Sequence, residues 1–225
     1  VPEDYNDWAA EGNDEWDFIK LLPFFRKLET DLNVQDDFHG TDGPIPVWRL
    51  PREEWLPVNE AFHQATVAEG FPEDSDMNNP DSTGCGPVPM NNPDGMRMST
   101  GLTYINPNRH RLNLTIRPKV LARRILFDGK RAAGVEVESG GEVFAVEGNE
   151  IILSTGGLRS SHLLMLSGVG PGDHIREFGI PLVHELPGVG QNLRNHPSAS
   201  VSLRAKDGVH LVTDNPGVRI ALRYT

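Results

Sequence analysis

"IILSTGGLRSSHLLMLSGVGPGDHIREFGI", residues 151–180, sets a short apolar run, a glycine pair, an apolar helix-forming run and a second glycine turn in direct succession. Ile151 to Ser154 reads as a continuous apolar strand bounded by Asn149 and Gly156, the pattern of a parallel strand covered on both faces. Ser160 or Ser161 can cap the helix that carries Leu163, Leu164 and Leu166, and Gly168 can take the left-handed conformation that closes it. Pro171 and Asp173 then start a second short helix, which Gly179 stops before the strand "IPLVHEL".

Working outward, the preceding stretch changes period. Val120, Ile125 and Phe127 lead into Asp128-Gly129, a favoured two-residue hairpin turn, and Val135 and Val137 alternate with Glu136 and Glu138 beyond it. "SGG" at 139–141 makes another turn before "EVFAVE", so this region reads as a three-strand antiparallel meander. Residues 71–101, rich in Pro, Asn, Asp, Gly and Met, show no sustained period and read as a long loop, of the kind that is either disordered or lies over a site. Residues 53–69 have helical spacing through Val58, Phe62, Ala65 and Ala68, with Gly70 as the stop. The proline- and glycine-punctuated run "HGTDGPIPVWRLP" at 39–51 reads as extended or looping chain. Residues 14–30 space Trp16, Ile19, Leu22, Phe25 and Leu28 as a helix that Pro23 divides, so two short helices are expected to meet near Leu22 and Pro23. Asp14, Glu15 and Asp17 read as a solvated helix start.

Composition narrows the function classes. A 225-residue chain is long enough to bury a real core, as one large domain or two small ones. Its formal net charge of -11 offers no basic patch for phosphates, which argues against a nucleic-acid partner and against anionic membranes. Cys85 stands alone, so neither an internal disulfide nor a multi-thiolate metal site is available, and a reducing, cytoplasmic compartment is expected. No uncharged apolar run reaches the roughly 18 residues of a membrane span. The first residues, "VPEDYNDWAAEGNDEW", hold no initiator methionine and no signal-like stretch, and "GVRIALRYT" ends inside an apolar run, so the chain reads as a segment of a longer protein.

Strand, glycine, helix is the order in which backbone can approach a dinucleotide, because glycine holds no side chain against the ligand and the helix start presents unpaired N–H groups. By itself the Gly156-Gly157 pair reads first as a structural turn, since no G-x-G-x-x-G follows an expected strand. "STGGLRSSHLLMLSGVGP" resembles the second signature of the glucose-methanol-choline (GMC) oxidoreductases: Ser160, Ser161, Leu163, Leu164, Ser167, Gly168, Val169 and Gly170 follow that pattern, while Gly157 departs from it. "DYNDWAAEGNDEW", "LLPFFRKLE", "HGTDGPIPV", "RMSTGLTYINP", "NLTIRPKVLARRILFDGKRAAGVEV" and "PGVGQNLRNHP" resemble further blocks of that family, in the same order.

The resemblance implies an α/β (α+β mixed) fold: part of a FAD-binding Rossmann-like domain with an antiparallel meander, plus part of a substrate-binding domain. It divides the chain into a helical extension (1–36), a substrate-domain segment with the long loop (37–110), a FAD-domain segment (111–195) and the start of the substrate-domain sheet (196–225). It implies a FAD-dependent oxidation of an alcohol CH–OH, with hydride passing to the flavin and a small-molecule alcohol as partner. The residues specify neither the alcohol nor the electron acceptor. Carried over residue by residue, Val120 matches a valine whose backbone faces the FAD adenine, with a plain core strand residue as the other reading. Gly156 matches the glycine that ends a strand near the cofactor, flanked by Ser154 and Thr155.

No catalytic residue and no metal ligand is assigned. His196 follows Asn195 where the family has Asp, and the family places its base elsewhere; His39 and His110 read as turn or surface residues. Met90, Met96 and Met98 read as gap-fillers rather than as the lining of a substrate entrance. A second reading, from another class, is an inert structural or interaction module; a nicotinamide-dependent dehydrogenase is disfavoured by the missing glycine fingerprint. Because a parallel strand such as Ile151 to Ser154 needs neighbours on both edges, the 225-residue chain expressed alone is expected to aggregate or remain partly unfolded and to retain no flavin. A sharp cooperative melt, or visible flavin absorbance after purification, contradicts that expectation.

Overall fold

Helix α1 (Pro2–Ala10) starts on a proline, whose fixed φ suits a first helical turn and whose missing N–H would have no partner there. Its Tyr5 ring packs against Trp8 at 5.6 Å and against Phe25 of helix α2 (Phe18–Leu28) at 5.3 Å. These coordinates are a computed structural model and describe residues 1–202, 204, 206–208 and 219–224. Helix α2 is continuous through Pro23, where two helices were expected. Asp17 caps it by accepting from the Lys20 N–H at 3.0 Å. Pro23 withholds only the bond to the carbonyl of Ile19, a residue 69% exposed, so water can serve that oxygen.

Strand β1 (Glu29–Asp31) runs parallel to β2 (Ile45–Val47), in the register Glu29 opposite Ile45. Helix α3 (Pro57–Ala68) buries His63 and Thr66, while Val58 and Phe62, which carry the apolar spacing, are exposed. The expected long loop at 71–101 contains strand β3 (Gly84–Pro87), centred on the fully buried Cys85. Trp48 and Met90 bridge the same region to the chain after β2. A π-helical turn at Gly101–Ile105 leads into the single turn α4 (Asn106–Asn108).

The meander is present, as β4 (Leu121–Asp128), β5 (Arg131–Ser139) and β6 (Glu142–Glu147) in antiparallel order. Its first turn falls one residue later than expected, on Gly129 and Lys130, because Asp128 pairs with Arg131. The second uses Gly140 and Gly141, both at positive φ as a two-residue hairpin of this hand requires. Residues 151–154 are a correction: the apolar run belongs to no ladder, and Ile152 is 78% exposed. Among the described residues no strand lies beside it to accept its hydrogen bonds.

Helix α5 (Gly157–Leu166) follows, then β7 (Val169–Gly170), α6 (Gly172–Glu177) and β8 (His184–Glu185), the last pairing parallel to β7. "IPLVHEL" thus supplies a two-residue strand rather than a full one. Strand β9 (Ile220–Arg223) pairs antiparallel with β3. Residues 209–218 of the expected final segment lie outside the described residues.

Two compact units result: Val1–Leu114 with Leu203–Thr225, and Thr115–Ser202. The first buries Val47, Leu50, Met77, Cys85 and Ile220; the second buries Ile125, Val137, Leu163, Val169 and Ile175. In the second unit a single hydroxyl ties helix to sheet. Ser167, just past α5, accepts from the Ile125 N–H at 2.7 Å and donates to the Leu163 carbonyl at 2.5 Å, all in the buried interior. Ser167→Ala strands a buried strand N–H, and a loss of about 1–3 kcal/mol is expected in urea denaturation of the full-length protein.

Candidate functional site

Gly156 begins the candidate site with φ of 83°, a conformation that residues with a side chain rarely adopt. It precedes α5 without a side-chain cap, and the first turn of the helix holds no acidic residue. The expected serine cap is not formed. Ser160 Oγ instead meets Thr155 Oγ1 at 3.0 Å, and Ser161 Oγ turns back to donate to the Gly157 carbonyl at 2.9 Å. A Cβ placed on either Gly156 or Gly157 would meet nothing within 4 Å, and Leu158 is 71% exposed. The pair is therefore not packed beneath the helix leucines. An open turn with an unopposed helix N-terminus is chemically suited to an anion such as a phosphate, which the aligned peptide dipoles and free first-turn N–H groups favour.

Ser154, Thr155 and Gly156 are consecutive and exposed, so all three expected residues share this opening. Val120 stands apart from them. It lies just before β4, half-buried, after Lys119 at a positive φ of 59°. With Ile116, Pro118, Ser139 and Phe144 it lines a cleft of about 410 Å³. No hydrogen bond joins Val120 to residues 154–156, although both belong to the second unit. His196 and His110 are exposed.

His39 lies in the bend at 36–39, but it is 1% exposed, which corrects the surface half of the turn-or-surface reading. Asp36, in the same turn, places Oδ1 2.7 Å from its Nδ1. Its Nε2 lies 3.2 Å from Asp76 Oδ2 and 3.7 Å from Asp31 Oδ2. Arg49 donates through Nη1 to both oxygens of Asp31 at 2.8 Å and through Nη2 to Asp76 Oδ1. Burial pushes the neighbouring Glu29 carboxyl up, against the opposing backbone N–H of Gly40. For Asp36, burial acts in the same direction, but the His39 ring and the backbone N–H groups of Phe38 and His39 outweigh it and hold the carboxyl below its ordinary value. Glu29, Asp31 and His39, and likewise Asp36, His39 and Asp76, bring ligand-type atoms within 4.8 Å of one another, so these are the residues able to approach a cation. Asp31 and Arg49 carried no signal in the sequence, since neither sits in a motif and the two are 18 positions apart.

Residues 1–198 match a family model described as GMC oxidoreductase. A GMC-type oxidoreductase of Rhodococcus erythropolis, itself named as uncharacterised, is 40% identical over 194 residues, which are 86% of this chain and 38% of that protein. An oxygen-dependent choline dehydrogenase of Escherichia coli K12 is 39% identical over 213 residues, 92% of this chain and 38% of that one. Among solved structures, pyridoxine 4-oxidase from Mesorbium loti superposes with a TM-score of 0.77 at 31% identity, over 83% of this chain and 37% of that chain. A FAD-dependent oxidoreductase from Chaetomium thermophilum gives 0.78 at 30% identity, over 85% and 35%. The chain thus spans less than two fifths of the length of each of these relatives.

Two glycines of the same region separate conformational from steric cost. Gly156→Ala meets open space and costs only its backbone conformation, φ 83° with ψ 163°, a region essentially reserved for glycine, expected at about 1–3 kcal/mol. Gly168→Ala adds a Cβ 2.2 Å from the Pro181 carbonyl oxygen at a φ of 82°, so it should destabilise distinctly more in a paired urea titration.

Proposed function

This chain belongs to the GMC oxidoreductase family, and from that premise we propose that the protein carrying it is a FAD-dependent oxidoreductase acting on the CH–OH group of a small alcohol. The observation that carries the reading is the open Gly156 turn before the uncapped, acid-free N-terminus of α5. The bare glycine leaves room for a dinucleotide cofactor to lie close to the backbone there, and the first-turn donors suit its negative charge. FAD, when bound, supplies the hydride acceptor for the alcohol carbon.

What this chain's residues contribute is binding and orientation. Backbone N–H groups from Gly157 to Arg159 are the free donors of the first turn, since the Ser160 N–H already returns to the Gly156 carbonyl at 2.9 Å. The Thr155 and Ser160 hydroxyls, 3.0 Å apart, fix the edge of the opening. The backbone at Val120, in its own cleft, is the proposed contact for the adenine. Because these contacts are made by main chain, side-chain identity matters less than the strand and helix geometry behind them. Substrate choice follows the relatives only in class: they include proteins named for choline and pyridoxine, both small hydroxylated compounds. No residue of this chain is assigned as the base that takes the hydroxyl proton, and the chain by itself is proposed to be catalytically inert.

Gly156→Asp places a carboxylate against the proposed path of the negatively charged cofactor. In the full-length protein, flavin bound at a fixed free concentration below saturation should fall about tenfold, the equivalent of roughly 1.4 kcal/mol, while Gly156→Ala keeps most of it. Undiminished flavin in Gly156→Asp, measured by its visible absorbance, would sink the placement.

A further inference from the structure

The bend at 36–39, strand β1 and the segment before β3 each bring a carboxylate to the buried His39 ring. Asp36 Oδ1 lies 2.7 Å from Nδ1, and because a carboxylate only accepts, the proton of that contact belongs to Nδ1. A neutral ring so oriented carries its lone pair on Nε2. That atom is buried without a hydrogen-bond partner among the described residues. It faces Asp76 Oδ2, equally buried and unpartnered, at 3.2 Å and Asp31 Oδ2 at 3.7 Å. Both aspartates place most of their polar load on the other oxygen. Asp31 Oδ1 accepts from the N–H groups of Asn33 and Val34, and Asp76 Oδ1 from the Asn78 N–H and Arg49 Nη2. Arg49 Nη1 reaches both Asp31 oxygens at 2.8 Å, which still leaves Oδ2 a free lone pair.

Acidic residues beside a histidine are ordinary ion pairing; an unpartnered Nε2, in a side chain 1% exposed and aimed at two carboxylate oxygens, is what points to a ligand. A charge-assisted hydrogen bond from a ring N–H to a carboxylate closes to about 2.7–2.9 Å. The separations of 3.2 and 3.7 Å are instead close to the roughly 3.3 Å edge of a tetrahedron around a cation bound at about 2.0–2.1 Å. Charge agrees. The carboxylates of Asp31, Asp36 and Asp76 against the one guanidinium of Arg49 leave two uncompensated negative charges around a neutral ring, which a divalent ion cancels. Arg49 weakens the pull on a cation but does not close the site, since its bonds leave Asp76 Oδ2 unused. Glu29 brings a further carboxylate oxygen within 4.8 Å of ligand atoms of Asp31 and His39. With His39, Tyr5, Phe38 and Met77 it also lines a cleft of about 410 Å³, which gives an ion a way in. Asp36 on Nδ1–H is then the outer carboxylate that orients a metal-bound imidazole.

We propose that the protein holds one divalent transition-metal ion of the Zn2+ class, ligated by His39 Nε2, Asp76 Oδ2, Asp31 Oδ2 and the Glu29 carboxylate, which fastens β1 to the segment before β3. Mixed imidazole and carboxylate ligands at four positions suit Zn2+, whereas Mg2+ and Ca2+ take six or more oxygens. The ion is structural, because four protein ligands leave no open position for a substrate. Its ligands belong to the first unit and the proposed flavin contacts to the second, so neither reading depends on the other.

The test takes the full-length protein, free of any histidine tag, strips it with a chelator and titrates it with Zn2+ alone. About one Zn2+ per chain should stay bound after desalting, read by inductively coupled plasma mass spectrometry, and Tm should rise with free Zn2+ as mass action requires. Mg2+ at the same concentrations should leave Tm where it was. Asp36→Asn, at a side chain 36% exposed, keeps every ligand in place and should weaken Zn2+ binding about 10–100-fold by freeing the ring. His39→Gln should abolish uptake; if that variant does not fold, the affinity of Asp36→Asn carries the test. A stripped protein that takes up no Zn2+ and melts at the same temperature with or without it overturns the proposal. So does Zn2+ uptake that Asp36→Asn leaves unchanged, which would place the ion elsewhere on the protein.

Discussion

The second unit depends on one hydroxyl that replaces a missing ladder bond. Ile125 sits in the middle of β4 and is 6% exposed, and its N–H goes to Ser167 Oγ. Because the same oxygen donates to the Leu163 carbonyl, the last turn of α5 and the sheet share one polar contact inside an apolar contact of Leu163 with its neighbours. A buried N–H left alone there would cost about as much as several methyl contacts supply. The contact therefore fixes where α5 ends against β4. It also fixes which end of α5 is free, and that free end is the one bearing Gly156 and Gly157.

At that free end the backbone is deliberately under-satisfied. A helix start normally recruits a side chain, and Ser160 and Ser161 are at hand, yet both hydroxyls are committed elsewhere. The contrast with α6 is instructive. Its N-terminus is closed by Glu185 of β8, whose Oε1 accepts from the Gly172 N–H at 2.9 Å. Two helices in one unit thus have opposite starts: one is neutralised by a carboxylate brought in from a later strand, the other is left open and free of acid. Only the second arrangement leaves donors for an anionic ligand.

The first unit solves a different problem, that of burying charge. Asp31 and Arg49 are each under 5% exposed, and isolating either would be far more costly than pairing them. Arg49 is suited to the task because its planar fork reaches two carboxylates at once, Asp31 along one edge and Asp76 along the other. Such a network specifies one arrangement of β1, the chain after β2 and the segment before β3, since any other would leave a buried charge without its partner. His39 completes the ring of contacts from the side that Arg49 does not reach.

Much of the local structure was legible along the chain. The meander from Leu121 to Glu147 follows from alternation and glycine turns, α5 with its Gly168 closure from apolar spacing, and the family from ordered blocks, because each of these signals lies within a few residues of the element it specifies. Where the reading failed, the partner was distant. Pro23 was tolerated inside α2, and β3 emerged from an apparently featureless stretch because β9 pairs with it. Residues 151–154 show the reverse case, an apolar run with strand composition and no strand beside it among the described residues. The buried charges are the clearest example: Asp31, His39, Arg49 and Asp76 look like ordinary surface residues in sequence, and only folding makes them neighbours. Sequence alone determines what backbone geometry and side-chain period encode locally; tertiary structure decides where hydrogen bonds and charges find partners, because those energies depend on distances in space that spacing along a chain does not record.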